Sequence, residues 1–134
     1  MSDKPANFSL ILDIPESEFR LVFGRTKIDY DPLKDQENRE KHNYSLESAA
    51  WLLERLLLPV GENRPHAISD SYVKNEEVRH AHMCVDDCGD VVFMVTTMRD
   101  NETVRIISLR RAHVNERTLF RDLTGYARKS FNTK

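Results

Sequence analysis

The chain has 134 residues, 40% of them hydrophobic, and a formal net charge of −2, which suits one hydrophobic core and leaves little room for a second domain. No apolar run approaches the roughly 20 residues that cross a bilayer, and Met1 to Pro5 lacks a leader-like pattern, so a soluble, cytoplasmic protein without membrane contact is expected. Two cysteines, Cys84 and Cys88, are too few for a disulfide scaffold.

In chain order, Phe8 to Ile14 is apolar enough for a strand stopped by Pro15, and Glu18 to Phe23 alternates weakly before Gly24. The first of these reads as an added edge strand, or as a segment that shields a site. Asp31 can cap a helix with Pro32 at its first position, and this helix, nearly devoid of apolar residues, runs exposed to His42. Asn43 ends it and Ser45 caps the next, in which Leu46, Ala49, Ala50, Leu53, Leu56 and Leu57 repeat at helical spacing until Pro59. Trp51 and the run from Leu56 to Leu58 are expected in the core, or as an apolar patch for a partner. Residues 60–78 read as a loop.

The pattern then changes to strands. Arg79 to Val85, Val91 to Met98 and Thr103 to Leu109, joined by turns at 86–90 and 99–102, predict an antiparallel three-stranded meander with Val91 to Val95 in its central strand. Val114, Phe120, Leu123, Ala127 and Phe131 fit a C-terminal helix packed on the sheet. The expected class is α+β, in one domain.

Charge is unevenly spread. Residues 1–98 carry a net −7 and residues 99–134 a net +5, a pattern of a local anion site on an acidic body, or of a solvated helix face. Within the basic part, Val104 to Ala112 is a strand threaded by Arg105, Arg110 and Arg111 and followed by Glu116 and Arg117. A strand that ends in guanidinium groups just before a helix start can hold a phosphate between rigid elements, which points to RNA.

These residues carry a family resemblance. Asp31-x-x-Lys34-x-x-x-Asn38-x-x-Lys41-His42-x-Tyr44-Ser45-x-Glu47-x-Ala49, then Arg99, then Val104-Arg105-Ile106-Ile107-Ser108-x-Arg110-Arg111-Ala112-x-x-x-Glu116-Arg117 resembles the BrnT family of type II toxins. The resemblance spans about residues 27–120 and leaves 1–26 as an N-terminal extension. It implies a ribonuclease-type toxin with a RelE-like fold: an antiparallel sheet packed by two N-terminal helices and a C-terminal helix. It also implies a cognate antitoxin that covers the toxin, with a homodimer or a toxin-antitoxin heterotetramer as the assembly.

The chemistry expected is metal-independent RNA cleavage without a cofactor. Attack of a ribose 2′-hydroxyl on its own phosphate needs a base, cations for the growing negative charge, and an acid for the departing oxygen. Arg99, Arg105 and Arg110 are the phosphate candidates, Glu116 the candidate base, and Lys41 or His42 the candidate proton donor or further charge. Arg111, Arg117 and Arg79 are candidate RNA contacts.

Each has a structural alternative. Glu116 can cap a helix, Lys41 and His42 can neutralise helix-end carbonyls, and Arg99 can cap a turn. Arg105 and Arg110, five positions apart, share a face only if the strand ends or bulges near Ser108 and Leu109, whereas Arg105 and Arg111 share one by period two. His80, His82 and Cys84 would share a strand face with Cys88 across the turn, yet no tight paired-ligand motif supports zinc, so no metal is assigned. The rival function is a non-catalytic RNA- or protein-binding module on the same fold.

Overall fold

The computed structural model describes residues 10–11, 27–57, 65–69, 72–99 and 103–127. They form an α+β fold in the order β1 (Leu10–Ile11), β2 (Lys27–Tyr30), α1 (Pro32–His42), α2 (Leu46–Leu57), β3 (His66–Ser69), β4 (Tyr72–Lys74), β5 (Glu77–Val85), β6 (Val91–Arg99), β7 (Thr103–Arg111) and α3 (Val114–Thr124). One mixed sheet runs β1-β3-β5-β6-β7-β2, with β4 paired to β5 beside β3.

The two early helices follow their cap chemistry. Asp31 accepts the Leu33 N–H at 2.9 Å, Pro32 takes the first helical position, and Asn43 closes α1 at φ 63°. Ser45 Oγ then accepts the Ser48 N–H at 3.0 Å at the start of α2. Asp35 Oδ1 ties the turns together by accepting the Leu46 N–H at 2.6 Å.

The meander forms as its alternation predicts, with β5-β6-β7 at the sheet centre. Its two faces are buried differently. Leu46, Ala49 and Leu53 of α2 pack with Cys84, Val92, Met94, Val104, Ile106 and Leu109, whereas Phe120 of α3 packs with Ala81, Met83, Val85, Phe93 and Val95. The central strand is buried on both sides from Val91 to Thr97, which is why its sequence reads as a continuous apolar run.

Several expectations need correction. The sheet is mixed rather than antiparallel, because β2 pairs parallel with β7 from Lys27 opposite Thr103 to Tyr30 opposite Ile106. Residues 60–78, expected as a loop, contain β3 and β4; Ala67 and Ile68 are buried against β5, and Asn75 and Glu76, both at positive φ, make the two-residue β4-β5 hairpin turn. β1 pairs with β3 at the sheet edge. The rest of the Phe8 to Ile14 strand and the Glu18 to Phe23 segment lie outside the described residues. α3 stops at Thr124 because Gly125 takes φ 83°, so Ala127 falls beyond it, while Phe131 lies outside the described residues. Val114 and Trp51 are 69% and 47% exposed rather than core; the Leu56 to Leu58 side chains are outside the described set. No helix among the described residues is long and apolar enough to cross a membrane.

Candidate nucleic-acid interface

β7 contains a bulge that decides which arginines share a face. Val95 pairs with Ser108 but Thr96 pairs with Ile106, so Ile107 is the extra residue. Arg105 therefore stands opposite Thr97 and Arg110 opposite Phe93, and since Thr97 and Phe93 are an even number apart on β6, both arginines lie on the α3 side of the sheet. They remain about 13 Å apart along the strand. The same bulge sends Arg111, opposite Val92, to the other face, so the expected Arg105 and Arg111 pair does not form.

Away from α3, that face carries a row of residues across five strands. Asp29, Arg105, Thr97, Arg79 and Tyr72 are register neighbours on β2, β7, β6, β5 and β4. Arg105 bonds Asp29 at 3.1 Å, and this hydrogen bond with the carboxylate charge raises the guanidinium pKa further. Glu77 reaches Arg79 at 2.8 Å and Arg99 at 3.4 Å. Arg79, Arg99 and Arg105 thus lie together, each paired with a carboxylate.

Next to this row a cleft of about 260 Å³ opens between α1, the β4-β5 hairpin and β7. Lys34, Lys41 and His42 line it from α1, Lys74, Asn75 and Arg79 from the hairpin, and Ile107 and Ser108 from the bulge; among the described lining residues Glu37 is the one carboxylate. The position of α1 follows from Asn38. Where β2 ends, the outer edge of β7 would expose backbone groups, and Asn38 takes their place in the ladder. Its Oδ1 accepts the Leu109 N–H at 3.1 Å, and its Nδ2 donates to Leu109 O and Tyr44 O at 2.8 Å each. This polar side chain, only 5% exposed on an otherwise exposed helix, stands out in the sequence only as part of the family motif; the signal for its burial is a helix with no apolar face of its own.

Arg110 and Glu116 lie elsewhere, under α3. Arg110 Nη1 and Nη2 donate to the two Glu116 oxygens at 2.8 Å each, Nη1 also donates to Arg111 O, and the guanidinium lies 4.2 Å from the Phe93 ring centroid. Glu116 Oε1 accepts the His113 N–H at 2.7 Å, which is the capping role. Burial alone would push this carboxyl up, but the Arg110 and His113 hydrogen bonds and charges outweigh it and hold Glu116 down at about 2. A buried, charge-locked carboxylate is a poor proton acceptor at neutral pH, and a guanidinium so engaged does not reach a surface phosphate. The geometry thus opposes the expected catalytic roles of Arg110 and Glu116.

Arg111 and Arg117 border a second cleft beside α3. Arg111 bonds Asp90 at 3.3 Å, and Arg117 donates to Ala112 O at 2.7 Å. The histidines face the α2 side: His66 Nε2 lies 3.1 Å from His82 Nδ1, and His82 Nε2 lies 2.8 Å from Thr96 Oγ1. Cys84 is buried in the α2-side core and Cys88 exposed in the turn, and among the described residues no three His, Cys, Asp or Glu side chains are arranged to hold a metal ion.

The family model described as "Ribonuclease toxin, BrnT, of type II toxin-antitoxin system" matches residues 30–116. No curated protein matches the chain. Among solved structures, the 1.1 Å crystal structure of the Brucella abortus ribonuclease toxin BrnT is similar to it at 17% identity and a TM-score of 0.47, covering 66% of this chain and 97% of that one.

Proposed function

The chain belongs to the BrnT family of ribonuclease toxins of type II toxin-antitoxin systems, and from that premise we propose that it is a metal-independent endoribonuclease of RelE-like build that arrests growth by cutting cellular RNA in the cytoplasm. Its reaction centre is the cleft between α1, the β4-β5 hairpin and the β7 bulge. The observation that carries this reading is the gathering of Lys34, Lys41, His42, Lys74 and Arg79 around one concavity beside Ser108.

The chemistry follows from those groups. His42 exchanges the proton of the attacking 2′-hydroxyl or the departing 5′ oxygen, and Lys41 and Arg79 stabilise the charge that grows on the phosphoryl oxygens. Arg99 and Arg105 extend the positive surface along the sheet row and guide the strand into the cleft. Arg110 and Glu116 support the reaction indirectly, by fixing α3 against β7. A cognate antitoxin silences the toxin by covering this basic face. The whole chain acts as one domain, with residues 1–26 as an extension of the 27–120 toxin unit.

The rival, a binding module that does not cut, is favoured by one observation: Asp29 and Glu77 already occupy Arg105, Arg79 and Arg99. Incubating purified protein with total cellular RNA and a chelator separates the two. The toxin reading expects cleavage that survives the chelator and drops at least about 100-fold in His42→Ala, the usual scale for a lost acid or base, with an unchanged circular dichroism spectrum. RNA left intact, bound but uncut, would establish the module instead.

A further inference from the structure

The second cleft has a composition that the proposed reaction does not use. It encloses about 280 Å³ at the end of β7 and along α3. Val114, Arg117, Thr118 and Arg121 stand at positions i, i+3, i+4 and i+7, so they form a single stripe on α3. Arg111 enters from the strand and Tyr126 from beyond the Gly125 turn.

Three arginines thus line one cleft, and among the described lining residues Asp90, bonded to Arg111 at 3.3 Å, is the one carboxylate. Two of these arginines are substantially solvent-facing: the Arg111 and Arg121 side chains are 63% and 56% exposed. Arg121 pairs with Asp122, at 3.8 Å and 67% exposed, a pair of the kind that water and salt readily loosen. The phenol of Tyr126 is anchored to Gly89 O at 2.7 Å and the Arg117 fork to Ala112 O, so two walls of the cleft are fixed before any ligand arrives.

We propose that this arginine cleft is a second phosphodiester-binding site, which holds the RNA strand at a distance from the cut and sets how tightly long substrates bind. The inference rests on the ribonuclease reading of the first cleft. Planar guanidinium forks match phosphate oxygens bidentately. The two clefts meet β7 at Ser108 and at its last residue, Arg111, which alternate in face but lie only three residues or about 10 Å apart along the backbone, so one flexible polyanion with regularly repeated charges can reach both by passing the strand end. A polynucleotide is favoured over an acidic protein segment because its phosphates recur at a fixed spacing along the path from one cleft to the other.

The test is fluorescence-anisotropy binding of a single-stranded RNA 12-mer with methylated 2′ oxygens, which cannot be cut, to the full chain over a range of salt. A variant with Arg111→Gln, Arg117→Gln and Arg121→Gln is expected to bind at least 10-fold more weakly at low salt. Its log-log salt slope should be shallower by about 2, the value for three lost phosphate contacts on a single strand. Because Arg117 also bonds the backbone, a variant with only Arg111→Gln and Arg121→Gln is measured beside it, with a slope change above about 1 expected. Unchanged affinity and slope in both variants, with cleavage by the wild type intact, would overturn the second site and leave the toxin reading standing. Wild-type protein that neither binds nor cuts RNA would overturn both. Variants that keep RNA binding but lose an acidic protein partner would reassign the cleft to that partner.

Discussion

Glu116 receives Arg110 through two parallel hydrogen bonds of 2.8 Å while its Oε1 also takes the His113 N–H, so one carboxylate fastens the start of α3 to the end of β7. The pair is nearly dry, with side-chain exposures of 11% and 1%. Removing one member leaves the other charged and buried, a change that costs about 3–5 kcal/mol. Glu116→Ala is therefore expected to lower the urea midpoint strongly, and Arg110→Ala to do likewise; a stable, fully folded Arg110→Ala that has lost cleavage would return Arg110 to the reaction.

The same pair sets an acid limit. The Glu116 carboxyl is held at about 2 against 4.5, a depressed acid, so its stabilisation is fully present above pH 4.5 and is lost as pH falls toward 2. The loss amounts to roughly 3 kcal/mol by pH 2. Chemical denaturation at pH 5 and pH 2 should show that drop in the wild type and little of it in Glu116→Gln.

Asn38 stands in for a strand partner. Substitution by Ala would leave Leu109 N–H and two backbone carbonyls without their present partners, and buried groups so orphaned cost about 1–3 kcal/mol each before water relieves them. Asn38→Ala should thus destabilise by about 2–4 kcal/mol in urea titrations. It should also loosen α1, which supplies Lys34, Lys41 and His42 to the first cleft, and so impair cleavage beyond what stability explains.

Much of this architecture was legible in the chain. Asp31, Pro32 and Asn43 marked both ends of α1, the leucine spacing marked α2, and the alternation from Arg79 onward marked the meander. The elements that leave no mark in the sequence are short or non-local. β2 is only Lys27–Tyr30, half polar and held by pairing with β7, and β3 and β4 are four and three residues long, below the length at which a period can be counted. The bulge at Ile107 has no glycine to announce it. For the site, residue types pointed to arginines on β7, but which of them meet solvent depended on the Asp29, Glu77 and Glu116 partners, of which only the last was in view.

Arg105 and Asp29 form an exposed pair, with side-chain exposures of 35% and 46%, so its worth to folding is at most about 1 kcal/mol. Its effect on RNA should be larger, because the carboxylate competes with phosphate for the same guanidinium. Asp29→Asn is expected to leave the urea midpoint nearly unchanged and to tighten RNA binding several-fold at low salt, an effect that fades as salt rises. Weaker or unchanged binding would remove the sheet row from the RNA path.

His66 and His82 face each other with rings stacked 5.4 Å apart at 5°. Burial lowers the His66 pKa from 6.5 to about 4, and burial with the neighbouring His66 and His80 charges lowers that of His82 well below its ordinary value. A base whose pKa is depressed in the fold binds fewer protons than the unfolded chain, so its contribution is intact above pH 6.5 and declines as pH falls toward 4. For His66 alone the loss reaches about 2 kcal/mol by pH 5. Stability measured from pH 7 to pH 5 should therefore fall in the wild type well before Glu116 begins to titrate. Replacing both rings, His66→Gln with His82→Gln, should flatten that limb while leaving the lower one below pH 4.5 in place. A wild-type stability that stays level from pH 7 to pH 5 would mean that the two rings are not held neutral between β3, β5 and β6.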